Sequence, residues 1–332
     1  MPVGTKGAVK TVGAEDLEAL GYRLLLANTY HLALRPGEEV IERLGGLNRF
    51  MGWPHPILTD SGGYQIMSLA AQRKLSERGV EFRSHLDGTA LDLTPERAVR
   101  IQRRLGVDIS MALDVCPPYP APREEVAQAM RLTHTWAGRS LEARSDGQTL
   151  FGIVQGGTHE DHRRESAEQI TSFPFDGFAV GGVSVGEETE LQRAVVEMTA
   201  PMLPDDKPRY LMGVGRPNDI IHAVECGVDL FDCVLPTRLA RHRALFTLNG
   251  VINITNAEWT EHNGPPDPES VFPLVQRYSA AYIRHLFLSD DPLAQRLATL
   301  HNLAFYARLM AEIREAVIYG TWGTLKKRYA NA

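Results

Sequence analysis

The sequence predicts an α/β protein, a closed (β/α)8 barrel with a small C-terminal insert. Three observations predict it. Short continuous apolar runs of strand length recur up to Phe231. Amphipathic stretches of helix length separate them, and most of the runs end in Asp, Asn, Gln or Gly. Unbroken apolar runs suit parallel strands covered on both faces, and repeated strand–helix units suit a parallel sheet. The chain has 332 residues, 43% of them hydrophobic. That is enough for one large core, since a barrel of this class commonly uses about 250 residues as one domain.

The strands read in order as follows. Leu24 to Ala27 ends in Asn28-Thr29, and Pro56 to Thr59 ends in Asp60-Ser61-Gly62-Gly63. Ile109 to Leu113 ends in Asp114, and Leu150 to Val154 in Gln155-Gly156-Gly157. Gly177 to Val180 ends in Gly181-Gly182, Tyr210 to Met212 in Gly213-Val214-Gly215, and Val228 to Phe231 in Asp232. Between them, Thr94-Pro95 is an N-cap followed by proline at the first helical position. Ala98, Ile101 and Leu105 give that helix one apolar face, and Gly106 stops it. Helices are also predicted near Arg123 to Ala143, His159 to Ile170, Glu188 to Met202 and Pro217 to Glu225. After Phe246 the pattern changes. Val251 to Ile254 is strand-like, Asn263 to Pro273 is an irregular insert rich in Pro, Asp and Gly, and helices return at Arg277 to Leu288 and Leu293 to Ile318.

The net charge of −6 argues against a general nucleic-acid binder but leaves room for a local basic patch. Three cysteines (Cys116, Cys226 and Cys233) make no CxxC pair, so a reducing compartment is expected. No basic-then-apolar leader opens the chain, and no run approaches the roughly 20 apolar residues of a membrane span. The expected location is the cytoplasm.

In a barrel the C-terminal ends of the strands carry the active site. Asp60, Asp114 and Asp232 fall at such ends. One such Asp is an ordinary turn former or N-cap; three, with Gln155 and paired glycines, suit glycosyl chemistry. One carboxylate can attack a sugar carbon while a second manages protons. A third, with an amide and exposed backbone, can read the edge of a flat heterocycle. Tyr64 or Met212 can cover its face. Arg238, Arg241, His242 and Arg243 follow Asp232 closely and could meet phosphates. Composition and spacing alone reach a carboxylate barrel acting on a glycoside or nucleoside.

The chain also closely resembles the bacterial tRNA-guanine transglycosylase family over nearly its whole length. The blocks that carry the resemblance are ANTYHLALRPG (Ala27 to Gly37), GWPHPILTDSGGYQIMSL (Gly52 to Leu69), FRSHLDG (Phe82 to Gly88), FGIVQGG (Phe151 to Gly157), FDGFAVGGVSVGE (Phe175 to Glu187), YLMGVGRP (Tyr210 to Pro217) and FDCVLPTR (Phe231 to Arg238). The resemblance implies an irregular (β/α)8 TIM barrel over residues 1–250. An insert at 251–300 corresponds to the family's zinc lobe, and a final helical segment at 301–332 packs back on the barrel. It implies a homodimer that exchanges the wobble guanine of G-U-N tRNAs for 7-aminomethyl-7-deazaguanine, in queuosine synthesis. The implied nucleophile is Asp232, with a covalent ribose intermediate and ping-pong double displacement, and the implied acid/base is Asp60. The base-binding set it implies is Asp60, Ser61, Gly62, Gly63, Tyr64, Asp114, Gln155, Gly182 and Met212. The tRNA contacts it implies fall on Gly213, Val214, Gly215, Arg216, Pro217, Asn218 and Asp219, and on Thr237, Arg238, Leu239, Ala240 and Arg241.

The chain departs from the family at several places. The three zinc cysteines fall on Ser270, Phe272 and Val275, and only His301 remains. One histidine cannot make a four-ligand zinc site, so no metal or other cofactor is expected, with Phe272, Leu274 and Val275 filling the volume as an apolar cluster. The family's Asp-Glu-Cys reads Asp114-Val115-Cys116, which is expected to alter the pocket behind the base. Val185 follows the bacterial pattern rather than that of queuine-using relatives. Arg241-His242-Arg243 replaces the usual Arg-Asn-Gly. The chain begins inside the first barrel strand, without the family's N-terminal hairpins. Two rival readings are a zinc-less paralogue acting on DNA or another RNA, and a non-catalytic partner subunit. The first is opposed by Arg238 and Arg241, the second by the presence of both Asp60 and Asp232.

Overall fold

The computed structural model describes residues 1–69, 73–270 and 272–332. Eight short parallel strands pair in sequence order: β1 (Val3–Gly4), β2 (Leu25–Ala27), β3 (Ile57–Thr59), β4 (Ile109–Met111), β5 (Thr149–Val154), β6 (Gly177–Val180), β7 (Arg209–Leu211) and β8 (Leu230–Phe231). Val3 lies opposite Leu26, Leu26 opposite Leu58, Met111 opposite Phe151, and Leu211 opposite Phe231. A parallel bridge between Pro2 and Cys233 joins the two ends of the sheet, so the barrel is closed.

Side-chain alternation gives the barrel two apolar layers. Val3, Leu26, Leu58, Met111, Phe151, Ile153, Ala179 and Tyr210 fill the inside. The outward residues pack on the helical ring in two larger clusters. Leu25, Ile57, Leu105 and Trp136 belong to one, and Leu150, Val180, Leu211 and Phe231 to the other. The helix Pro95–Leu105 starts as its sequence predicts: Thr94 Oγ1 accepts from the Arg97 N–H at 3.2 Å, and Gly106 closes it at φ +69°.

All seven strands read from the apolar runs are present. The pattern did not predict three short helices after β2 (Thr29–Leu34, Glu38–Arg43 and Leu47–Met51) or an antiparallel sheet between β3 and β4. That sheet pairs Arg73–Ser76, Gly79–Arg83 and Ala90–Leu93. Its first strand is exposed throughout, so it carries no apolar alternation to read.

Beyond β8, the hairpin Ala244–Thr247/Gly250–Asn253 and the helices Ala280–Leu288 and Pro292–Tyr319 share a separate core around Leu245, Ile254, Ile283 and Leu297. Pro292–Tyr319 acts as a spine. Its Asn302 accepts from the Phe246 N–H at 2.9 Å and donates to the carbonyls of Pro236 at 2.9 Å and Ala244 at 3.0 Å. Its Tyr306 hydroxyl donates to the Gly215 carbonyl. A buried amide with its bonds made fixes backbone strongly, because leaving any of these groups unpaired costs about 1–3 kcal/mol. No helix among the described residues is long and apolar enough to cross a membrane.

Candidate active site

The C-terminal ends of the barrel strands surround an open cavity of about 660 Å³. Asp60, Ser61, Tyr64, Asp114, Gly182, Met212 and Asp232 line it together. Three of these are carboxylates delivered by three different strands, after β3, β4 and β8.

Asp232 is held through one oxygen. The Tyr210 hydroxyl donates to Oδ1 at 2.6 Å and the Gly213 N–H donates to the same oxygen at 2.8 Å. Tyr210 belongs to the barrel interior and is fully buried. Burial, then the charge of Asp232, hold its phenol protonated well above the usual range, so it remains a donor. The neighbouring Cys233 thiol is pushed up to about 12, mainly by burial, and Cys116 likewise to about 12. Neither thiol is ionised near neutral pH.

Asp60 accepts from the Asn28 amide, from the Thr29 N–H at 2.9 Å and from the Gln65 amide at 2.8 Å. Thr29 also donates its hydroxyl to the Asp60 carbonyl, which ties β2's end to β3's end. Burial raises the Asp60 carboxyl to about 6, the three hydrogen bonds oppose it, and the charge of Asp232 adds to the rise. A carboxyl poised there can give and take a proton near neutral pH.

Asp114 accepts from the Gln155 amide at 2.7 Å and lies 3.5 Å from the Ser61 hydroxyl. It too is raised to about 6, mainly by burial. Gln155 is fully buried behind it and does not face the open cavity. Gly182 sits at φ +65°, and a Cβ there would come within 2.3 Å of the Gln155 side-chain oxygen. A Cβ on Gly63 would stand 2.8 Å from the Asp114 carbonyl, so the glycine lets the two loops meet. Gly62 and Gly63 are buried beneath Tyr64 rather than lining the cavity.

Sequence reasoning missed several supports. Tyr210 is one. Arg163 is another: fully buried on Glu160–Thr171, it donates to the carbonyls of Gly157, Val154, Gly181 and Gly182. The Gly182 carbonyl is thereby occupied. The available signal was a charged residue beside Ser166, Ala167 and Ile170 on an otherwise buried helix face. Val115 follows Asp114 directly in the sequence. It packs in the outer cluster, its N–H donates to Thr133 Oγ1 at 3.0 Å, and it is not among the residues that line the cavity.

Gly213, Val214, Gly215, Arg216, Asp219 and Arg238 reach the cavity rim. Arg216, Arg238, His242 and Arg243 are exposed, and Arg241 is half-buried with its guanidinium on the Thr237 carbonyl at 2.7 Å. Pro217, Asp219, Thr237 and Ala240 are buried; Asp219 pairs with Arg193 at 2.7 Å. Asn218 and Leu239 are half-buried and off the cavity.

The family's zinc positions do not form a metal site. Val275 is buried, and Phe272 and Leu274 pack against the same core. His301 is buried with Nε2 on the Phe246 carbonyl at 2.8 Å. Among the described residues no three His, Cys, Asp or Glu side chains stand together as a metal-holding group. With Ser, Phe and Val at the three cysteine positions, a single imidazole does not make a zinc ligand set.

A family model described as queuine tRNA-ribosyltransferase matches residues 1–332. Among its relatives, a queuine tRNA-ribosyltransferase of Ruegeria sp. (strain TM1040) is 50% identical over 331 residues, covering 99% of this chain and 88% of that protein. One of Oleidesulfovibrio alaskensis is 50% identical over 332 residues, with coverage of 99% and 88%. One of Thermoanaerobacter pseudethanolicus is 49% identical over 331 residues, again covering 99% and 88%. Matched end to end by the family model, and half identical to such relatives across its length, the chain belongs to the queuine tRNA-ribosyltransferase family.

Proposed function

We propose that this chain is a tRNA-guanine transglycosylase. It exchanges the wobble guanine of G-U-N anticodon tRNAs for 7-aminomethyl-7-deazaguanine, as a cytoplasmic homodimer. The observation that carries the reading is Asp232 on the cavity wall, restrained through Oδ1 only, with Asp60 beside the same cavity.

Asp232 Oδ2 attacks C1′ of the ribose. The C1′–N9 bond breaks, and the departing guanine takes the proton held by Asp60. The incoming base then gives its N9 proton to Asp60, and N9 attacks C1′ as the Asp232 ester bond breaks. Two inversions retain the β configuration. Asp114, positioned by the Gln155 amide behind it, reads the edge of the base together with Ser61 and the Gly182 N–H, and Tyr64 and Met212 cover its faces. The Val183–Ser184 peptide donates its N–H to Glu187, so its carbonyl points the opposite way. Both residues line the cavity, and such an acceptor suits the ammonium of an aminomethyl base. Arg216, Arg238 and Arg241 meet the tRNA backbone.

The test is exchange of radiolabelled guanine into G-U-N tRNAs. Wild type should exchange and form a tRNA adduct that survives denaturing electrophoresis; Asp232→Ala should do neither. A folded wild type that leaves the label free in solution overturns the reading.

A further inference from the structure

The zinc lobe of this family has lost its donors here, yet residues 267–270 and 272–276 are firmly seated. We propose that an ion pair and an amide clamp fasten this segment to the long helix Pro292–Tyr319 without any metal. The inference goes beyond the exchange reading and does not depend on it.

The clamp has an inner and an outer part. Inside, Asp267 and Arg308 pair at 2.9 Å, with both side chains less than 10% exposed (6% and 8%). The Arg308 guanidinium also stands over the Phe305 ring, 5.5 Å from its centre. Asp267's second oxygen accepts from the Glu269 N–H at 3.0 Å, closing a tight turn. Gln276 then gathers that turn from the other side. Its amide nitrogen lies 2.6 Å from the Ser270 carbonyl, 3.0 Å from that of Asp267 and 3.2 Å from that of Pro268. Outside, Arg328 joins Glu269 at 2.5 Å to Glu312 of the long helix at 3.0 Å.

The apolar residues at two of the lost ligand positions complete the arrangement. Phe272 and Val275 turn into the core that contains Leu300 and Leu303 of the same helix. Ser270 offers its carbonyl rather than its side chain. A bound metal fastens a loop by converging donors on one point; here one amide and one guanidinium converge on backbone and carboxylate instead. Such a pair differs from a metal in a measurable way. Removing one charge leaves the other buried and unpaired, whereas replacing both by apolar residues is often tolerated.

The full-length protein is purified without chelator, its metal content is measured by mass spectrometry, and its melting is followed with EDTA and with added zinc. The expected result is no stoichiometric metal and a melting temperature moved by neither addition. Arg308→Leu should lower that temperature by roughly 4–7 °C and open residues 263–276 to limited proteolysis. Asp267→Leu/Arg308→Leu should recover most of the loss. If Arg308→Leu does not fold, Gln276→Ala carries the test, and faster cleavage in the same segment is expected. One zinc per chain, melting lowered by EDTA, or variants that melt and digest like wild type would overturn the proposal. None of these readouts involves base exchange, so an inactive enzyme leaves them interpretable.

Discussion

Tyr210 and the Gly213 N–H both donate to Oδ1 of Asp232, at 2.6 and 2.8 Å, and Oδ2 receives neither. The two oxygens are therefore chemically distinct before substrate arrives. In the proposed exchange Oδ2 is the attacking atom, and Oδ1 becomes the ester carbonyl with its donors in place. Tyr210→Phe should remove one charge-assisted bond worth roughly 1.5–3 kcal/mol. The expected outcome is a fall in kcat of roughly 10–100-fold with little change in KM for tRNA. Steady-state exchange measures both.

Asp114 costs the empty protein stability at neutral pH. Its carboxyl is raised from 3.8 to about 6, mainly by burial. Between those values the folded protein holds a proton that the unfolded chain has released. Stability therefore falls as pH rises through this window, by about 2–3 kcal/mol in all. Asp114→Asn, with the Gln155 amide able to reverse and keep the bond, should resist denaturant better than wild type at about pH 8. The gain should vanish toward about pH 4. Urea melts across that range check the sign.

The same variant should bind guanine less well. A heterocycle's donors would lose an ionised acceptor in a buried site, at roughly 1.5–3 kcal/mol. Asp114→Asn and Gln155→Ala are each expected to raise KM for the base about 10–100-fold while leaving KM for tRNA near wild type. Equal losses for base and tRNA would contradict the base-reading role.

Arg238 stands exposed on the cavity rim, on the helix Leu235–Arg241 that follows Asp232. If it neutralises one phosphate of the anticodon loop, Arg238→Gln should flatten the dependence of log affinity on log salt by roughly 0.7. Binding titrations from low to moderate salt with unmodified tRNA give that slope. An unchanged slope places Arg238 off the backbone.

The seven apolar runs, the Thr94-Pro95 helix start and the Asp residues after Thr59, Leu113 and Phe231 were legible because burial on both faces and strand-end chemistry leave local marks. Tyr210 was not, because a tyrosine inside an apolar strand looks like core until its hydroxyl partner is known. Arg163 was hidden for a similar reason: its four carbonyl partners lie at or just after the ends of two neighbouring strands and are known only once those strands pair. The exposed Arg73–Ser76 strand carries no periodic signal.

The bridge between Pro2 and Cys233 seats the strand that leads to Asp232, the last of the eight, against the first. Contacts this distant along a chain form late and slowly. During synthesis, a partly emerged barrel already carries Asp60 and Asp114, on strands that pair with near neighbours. Asp232 has no seat until the final strand closes the circle. The nucleophile of the proposed exchange thus reaches its place only where the first and last strands meet.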